Sequence, residues 1–90
     1  MLRFIGEILL NMDDHSIEEA EDWIKRAIEA DKRNGRMWEL GMDYRLYADV
    51  WKRRGDLAAA KEHLGKAIEI LKECGADGWV ERYEAELARL

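Results

Sequence analysis

Few side chains in this chain of 90 residues could perform catalysis: there are one cysteine, two histidines and one serine. Cys74 and His63 share one predicted helix, but eleven positions at 1.5 Å each place them roughly 16 Å apart, too far for a thiolate–imidazole pair. Ser16 is explained as a helix cap, since Glu19 follows it at the spacing of a capping box. The histidines and the cysteine lack the spacing of metal ligands, and the sequence contains no glycine-rich phosphate loop. The sequence therefore predicts no enzyme activity, no catalytic residue, no cofactor and no metal ion.

Composition limits the class of protein. The chain has no proline, and Ala, Leu, Glu, Lys and Arg dominate, which favours helices throughout. The formal net charge of -5 predicts neither a nucleic acid nor an anionic membrane as a partner. The apolar N-terminus is interrupted by Glu7, so no run approaches the roughly 20 residues of a spanning helix. A lone cysteine fits a reducing compartment, and the predicted localisation is cytoplasmic.

The stretch from Lys52 to Gly75 shows the predicted organisation most clearly. Gly55 can adopt the left-handed conformation that ends a helix, and Asp56 can cap the next one. Apolar residues then recur at intervals of three and four, which places them on one helical face. This face consists of Leu57, Ala60, Leu64, Ala67 and Leu71. The stretch is predicted to form the second half of a helical hairpin.

Two helices are predicted before residue 36. The first is short, is apolar over much of its circumference, and precedes a polar turn that begins at Asn11. The second begins after Ser16 and ends at Gly35. Its apolar face is predicted to pack, and its polar side chains, Glu21 among them, are predicted to face water.

Two further helices flank the stretch 52–75. The segment from Arg36 to Arg54 is predicted to be an unusually long helix with apolar residues on two faces. Its main stripe consists of Met37, Leu40, Tyr44, Tyr47, Ala48 and Trp51, and its second stripe consists of Trp38, Met42, Leu46 and Val50. The last helix is predicted to begin with Asp77 as its N-cap. Its polar side is predicted to face water with Arg82, Glu84, Glu86 and Arg89.

An internal repeat relates the second and fourth predicted helices at an offset of 40 residues. The identical residues at this offset are Ala20 and Ala60, Ala27 and Ala67, Ile28 and Ile68, Glu29 and Glu69, Lys32 and Lys72, and Gly35 and Gly75. The same hairpin unit therefore occurs twice.

This pattern resembles the tetratricopeptide repeat, a helix-turn-helix unit with large and small residues at fixed positions. In the second unit the matching residues are Tyr44, Tyr47, Ala48, Trp51, Gly55, Asp56, Ala60, Leu64 and Ala67. In the first unit they are Leu2, Ile5, Gly6, Leu9, Ala20, Ile24 and Ala27. The tail from Gly75 to Leu90 resembles the closing segment of such arrays in bacterial regulatory proteins.

The resemblance implies an all-α fold: an α-α superhelix of two tetratricopeptide-like hairpins plus a C-terminal capping helix, five helices with antiparallel neighbours. A single domain over 1–90 is expected, with unit one at 1–35, unit two at 36–75 with an extended first helix, and the capping helix at 77–90. The period of 40 exceeds the family's usual period of about 34. It also admits a HEAT-like alternative, which the small pair Ala60 and Ala67 disfavours.

The resemblance also implies a function, that of a protein-protein interaction module that binds a peptide or helix in its concave groove. In the family the first helices of successive units line that groove. This implies partner-binding roles for Arg3, Glu7, Trp38, Met42, Arg45, Leu46, Asp49 and Arg53. Two alternatives stay open. Arg3 with Glu7 and Arg45 with Asp49 are most simply explained as solvated ion pairs, and the Trp38 stripe is also explained as packing on the preceding hairpin.

Two units are few for a stack of repeats, which usually needs three or more to bury a continuous core. We therefore predict either a homo-oligomer, formed through the first helix and the Trp38 stripe, or membership in a longer protein. The alternative function is a structural terminal cap or dimerisation segment of a larger sensory ATPase or cyclase, with no ligand of its own.

Overall fold

The computed structural model describes Ile5, Gly6, Ile8 and residues 17–90, which are helical except for three short turns and the last residue. Four helices are bounded in this part of the chain: α1 (Ile17–Arg33), α2 (Met37–Arg53), α3 (Leu57–Glu73) and α4 (Asp77–Arg89). No described residue belongs to a strand, so the predicted all-α class is confirmed. The four bounded helices differ from the predicted five. The difference concerns the predicted first helix, of which only Ile5, Gly6 and Ile8 are described, each of them helical.

The three turns between the helices share one conformation. Gly35, Gly55 and Gly75 adopt φ angles of 67°, 83° and 72°, in the left-handed region that favours glycine. Just after Gly55, the amide of Asp56 donates to the carbonyl of Trp51 at 3.0 Å, one of the two bonds of a Schellman motif. The other two turns form the same bonds. Glycines therefore end α1, α2 and α3, as predicted.

The helix starts confirm one predicted cap and correct another. Asp56 accepts a hydrogen bond from the amide of Ala59 at 3.0 Å and so caps α3. Asp77, the predicted cap of α4, is instead its first helical residue, and Ala76 occupies the N-cap position without a side-chain bond. The Asp77 carboxylate still lies in the first turn, where the helix dipole favours negative charge. The predicted cap Ser16 lies outside the described residues.

Helix α2 has the same length as its neighbours. It spans 17 residues, as α1 and α3 do, and it is one residue shorter at each end than the predicted segment 36–54. A three-residue turn follows each of these helices, and the four helices therefore begin at equal spacing along the chain. The internal repeat is thus built from two helix-and-turn segments of one length.

One apolar cluster holds α1 against α2. Its buried members are Ala20, Ile24, Ile28, Leu40, Leu46 and Val50. Ile24 and Val50 are fully excluded from solvent, and burying side chains of this size contributes roughly 1.5–3 kcal/mol each. Gly6 lies against this cluster, since a Cβ built on it would be 2.7 Å from Ile24 Cγ1. Gly6 is thereby placed against α1.

A second apolar cluster holds α2, α3 and α4 together. Its buried members are Ala48, Leu64, Ile68, Leu71, Val80 and Tyr83. Helix α3 approaches α2 closely at Gly41, because a Cβ there would lie 2.9 Å from both Cγ and Cδ2 of Leu71. The side chain of Asp43 on α2 is also fully buried, which the apolar periodicity of the helix did not predict.

Most of the predicted apolar face of α3 is buried, but the first residue of the predicted apolar stripe is exposed in both α2 and α3. Ala60, Leu64, Ala67 and Leu71 are buried as predicted. Leu57 and Met37, which were predicted to belong to the core stripes, are instead 45% and 41% exposed. Each is the first residue of its helix, and helical side chains lean toward the N-terminus, so these two project beyond the packed interface.

Candidate groove between α2 and α4

Helices α2 and α4 lie side by side with a groove between them. No Cα atom of α2 lies within 8 Å of a Cα atom of α4, so the two helices meet only through long side chains. Trp38 contacts Trp79, and Met42 contacts Tyr83 at the same sequence separation of 41. The equal separation shows that α2 and α4 run in the same direction. Helix α3 packs against both of them.

The N-terminal half of the groove is an aromatic strip made of Trp38, Met42, Trp79 and Tyr83. The rings of Trp38 and Trp79 meet edge to face with centroids 6.5 Å apart, and those of Trp79 and Tyr83 stack at 5.7 Å. The Tyr83 hydroxyl donates to Met42 Sδ at 3.7 Å. Trp38 is 38% exposed, whereas Tyr83 is buried. The strip therefore presents an apolar surface that is anchored in the core.

The C-terminal half of the groove is a basic pocket of about 370 Å³, within the range of small-ligand sites. Its walls are formed by Arg45 and Lys52 of α2, by Arg82, Glu86 and Arg89 of α4, and by Leu90. Four basic side chains thus accompany one carboxylate. None of the four forms an ion pair with a described residue. The Arg82 guanidinium instead lies 5.5 Å from the ring centroid of Trp79, which joins the pocket to the aromatic strip.

Arg45 occupies the junction between the strip and the basic pocket. Its guanidinium carbon lies 5.6 Å from the ring centroid of Tyr83. Its Nε is buried and donates to no described residue. The expected ion pair between Arg45 and Asp49 is not formed, within the part of the chain that the structure describes. Arg45 therefore keeps an unused donor of a charged group beside the groove.

The predicted second stripe of α2 divides between two interfaces. Trp38 and Met42 lie in the groove together with Arg45, so three of the predicted partner-binding residues come together there. Leu46 is only 3% exposed and belongs to the cluster that packs α2 on α1. Burial therefore favours the packing alternative for Leu46.

The other predicted partner-binding residues are not brought into the pocket. Asp49 is half-buried and Arg53 is exposed, and neither lines the basic pocket. Arg3 and Glu7 lie outside the described residues, and their predicted roles stay predictions.

Four charged residues of the pocket, and also Leu90, were not predicted to bind a partner; the four are Lys52, Arg82, Glu86 and Arg89. Lys52 lies in the last turn of α2, where the helix dipole favours a cation, and the three α4 residues were predicted to lie on a side that faces water. The internal repeat could have predicted that these residues lie near Arg45. An offset near 40 aligns α2 with α4, and it thereby places Arg45 near Glu86 in the same pocket.

A second group of side chains, the polar cluster, joins α1, α2 and α3. Glu21 accepts from Arg54 Nη1 at 2.8 Å and from the Tyr47 hydroxyl at 3.3 Å. The side chains of Glu21 and Arg54 are 15% and 27% exposed, so the prediction that Glu21 faces water is wrong. The C-terminal end of α2 covers it. Burial raises the pKa of Tyr47, and the Glu21 carboxylate raises the Tyr47 pKa further because it disfavours a second negative charge.

His63 completes the polar cluster from α3. It lies among the rings of Tyr44, Tyr47 and Trp51, with centroid distances of 6.3, 4.5 and 6.4 Å. Its Nδ1 is buried and makes no hydrogen bond to a described residue. Burial lowers the pKa of His63 below its ordinary value, and the positive charge of Lys66 lowers the His63 pKa further. The imidazole is therefore neutral at pH 7.

Comparison of the chain with protein-family models, curated proteins and solved structures finds no match. Among the described residues, no three metal-ligating side chains converge. No helix in that part of the chain is long and apolar enough to cross a membrane. The function is therefore inferred from the geometry of the groove and from the sequence pattern.

Proposed function

We propose that this protein is an interaction module that binds a peptide or helix in the groove between α2 and α4. One observation carries the proposal: the groove combines an exposed aromatic strip with four basic side chains that form no ion pair with a described residue. Trp and Arg are enriched among the side chains that dominate binding energy at protein interfaces. Trp38 and Arg45 are therefore the proposed anchors.

The proposal also assigns the described helices to repeat units. We infer a tetratricopeptide-like α-α superhelix in which α2 and α3 form one hairpin unit and α4 is the capping helix. The shared turn conformation at Gly35, Gly55 and Gly75 and the equal spacing of the helices support this arrangement. A cytoplasmic location also belongs to the proposal, and the single exposed thiol of Cys74 supports it.

The test compares two neighbouring side chains of α2. Short random peptides, of about twelve residues, are selected on the immobilised protein by display, and their affinities are measured by calorimetry. Trp38→Ala removes a ring of the aromatic strip, whereas Met37→Ala removes a similarly exposed apolar side chain on a different side of the helix. We expect Trp38→Ala to weaken binding about tenfold or more and Met37→Ala to weaken it less than about twofold.

Thermal unfolding of both variants provides the control for folding. Trp38→Ala loses its edge contact with Trp79, which is worth about 1 kcal/mol, and should remain folded at the temperature of the binding assay. The alternative function, a structural cap or dimerisation segment, predicts that no selected peptide depends on Trp38. It also predicts self-association, for which Ile8, 63% exposed, is a candidate contact. A concentration-dependent dimer without Trp38-dependent peptide binding contradicts the interaction module.

A further inference from the structure

The basic pocket has a charge opposite to that of the whole chain. The chain contains 20 acidic and 15 basic side chains, whereas four basic side chains and one acidic side chain line the pocket. Four cations elsewhere in the described chain are paired with carboxylates: Lys25 and Arg54 with Glu21, Arg26 with Asp22, and Lys72 with Glu84. The pocket is therefore a local concentration of basic side chains, in which Glu86 is the one acidic side chain of the described lining.

Arg45 indicates which kind of anion the pocket would bind. A buried donor without an acceptor costs about 1–3 kcal/mol, and Arg45 Nε is such a donor among the described residues. A carboxylate can accept from two N–H groups of one guanidinium at once, a geometry that a lysine cannot provide. A carboxylate bound to the guanidinium of Arg45 would supply its counter-charge. The exposed side chains of Arg82 and Arg89 can turn toward a second carboxylate in the same pocket.

The aromatic strip favours a ligand that also has an apolar part. Arg82 lies over Trp79, and Trp79 contacts Trp38, so the pocket and the exposed ring are continuous. A nucleic acid fits this surface poorly, because its backbone would extend beyond the pocket over a chain that carries a net charge of -5. A short peptide stays within the groove. Its repulsion from distant acidic residues is screened beyond about 8 Å at physiological ionic strength.

We propose, on the basis of the proposed function above, that the groove selects an acidic peptide segment. Two of its carboxylates bind in the basic pocket, one of them at Arg45, and a neighbouring apolar side chain packs on Trp38. The recognised chemistry is thus a pair of carboxylates beside an apolar residue.

Three fluorescein-labelled peptides with blocked ends are the probes. The first alternates Glu-Glu pairs with single Leu residues, the second has Gln in place of every Glu, and the third has phosphoserine in place of every Glu. Fluorescence polarisation measures binding at about 50 mM and about 300 mM salt. We expect the Glu peptide to bind about tenfold or more tightly than the Gln peptide and to weaken as salt rises.

Matched variants locate the effect in the pocket. Arg82→Gln combined with Arg89→Gln removes two exposed pocket cations, and Arg33→Gln combined with Lys61→Gln removes two exposed cations that do not line the pocket. The net charge changes equally in the two double variants. We expect the pocket variant to lose about tenfold or more in affinity for the Glu peptide and the control variant less than about twofold. Circular dichroism confirms that both remain helical.

Three outcomes would overturn the acidic-peptide proposal: equal affinity for the Glu and Gln peptides, equal loss in both double variants, or binding of the phosphoserine peptide alone. Failure of this proposal is distinguishable from failure of the interaction module. If peptides selected by display depend on Trp38 but carry no acidic residues, the module stands and the acidic preference is wrong. If no selected peptide depends on Trp38, both proposals are wrong.

Discussion

On one side of α2, Arg54 reaches the Glu21 carboxylate at 2.8 Å. On the other side, Arg45 lies over the ring of Tyr83, and its buried Nε donates to no described residue. Both sides combine aromatic rings with arginine, and they differ in whether a carboxylate completes the group. In the polar cluster the charges of Arg54 and Glu21 are paired within the chain, whereas the groove holds cations for which an external carboxylate is a suitable partner.

The spacing of the helices explains this difference. The polar cluster forms where α1 and α3 both pack directly on α2, so that Glu21 of α1 and His63 of α3 reach the same rings. The groove forms where α4 stays more than 8 Å from α2 between Cα atoms. Close packing brings counter-charges together, whereas a gap leaves room for a ligand. Predictions that disturb one side and spare the other therefore test the comparison.

The largest effect is expected at the α2–α3 interface, on which both sides depend. Gly41→Ala places a Cβ 2.9 Å from Leu71 Cγ and Cδ2, and overpacking of this kind costs roughly 1–3 kcal/mol. Gly65→Ala on α3 is the matched control, because nothing lies within 4 Å of its Cβ and alanine is favoured over glycine in a helix by about 1 kcal/mol. Urea unfolding should show a lower free energy of unfolding for Gly41→Ala and a higher one for Gly65→Ala. A stabilised Gly41→Ala variant would contradict the close approach of the two helices.

Local spacing predicted much of this fold. The three glycine turns, the cap at Asp56 and the buried face of α3 depend on residues within a few positions of one another, and these were predicted from the sequence. The pairing of Glu21 with Arg54 depends instead on which helices lie side by side. The pocket between Arg45 and Arg89 also depends on which helices are neighbours. It was not predicted, because α4 was predicted only as an amphipathic helix with one side facing water. Helical periodicity predicts which residues share a face of a helix, but it does not predict which other helix packs against that face.

Removing a charge from the polar cluster should lower the free energy of unfolding by about 1 kcal/mol, whereas removing a charge from the groove should change it little. Glu21→Gln takes the carboxylate from the half-buried Arg54 and from Tyr47, and we expect the free energy of unfolding to fall by about 1 kcal/mol. Arg89→Gln removes a pocket cation whose only hydrogen bond to a described residue is to the Ala85 carbonyl, at 3.4 Å. Its expected change is within about 0.5 kcal/mol. Chemical denaturation of both variants at one pH provides the measurement.

Asp22→Asn controls for the loss of a carboxylate from α1. Asp22 pairs with Arg26 at 3.1 Å, but the two side chains are 62% and 58% exposed, so the expected change is below about 0.5 kcal/mol. If Arg89→Gln lowered the free energy of unfolding as much as Glu21→Gln, the pocket cations would be structural. The contrast between the two sides of α2 would then be wrong.

The smallest effect is a pH dependence that belongs to the polar cluster alone. The pKa of His63 is lowered below 6.5 in the folded protein, chiefly by burial, so the unfolded chain binds the proton more readily. The free energy of unfolding is therefore unaffected above about pH 7 and falls as the pH drops from about 6.5 toward the lower folded pKa. Unfolding curves at about pH 7.5 and pH 5.5 should differ less for His63→Gln than for the natural chain, and an equal difference in both would place the titrating group elsewhere.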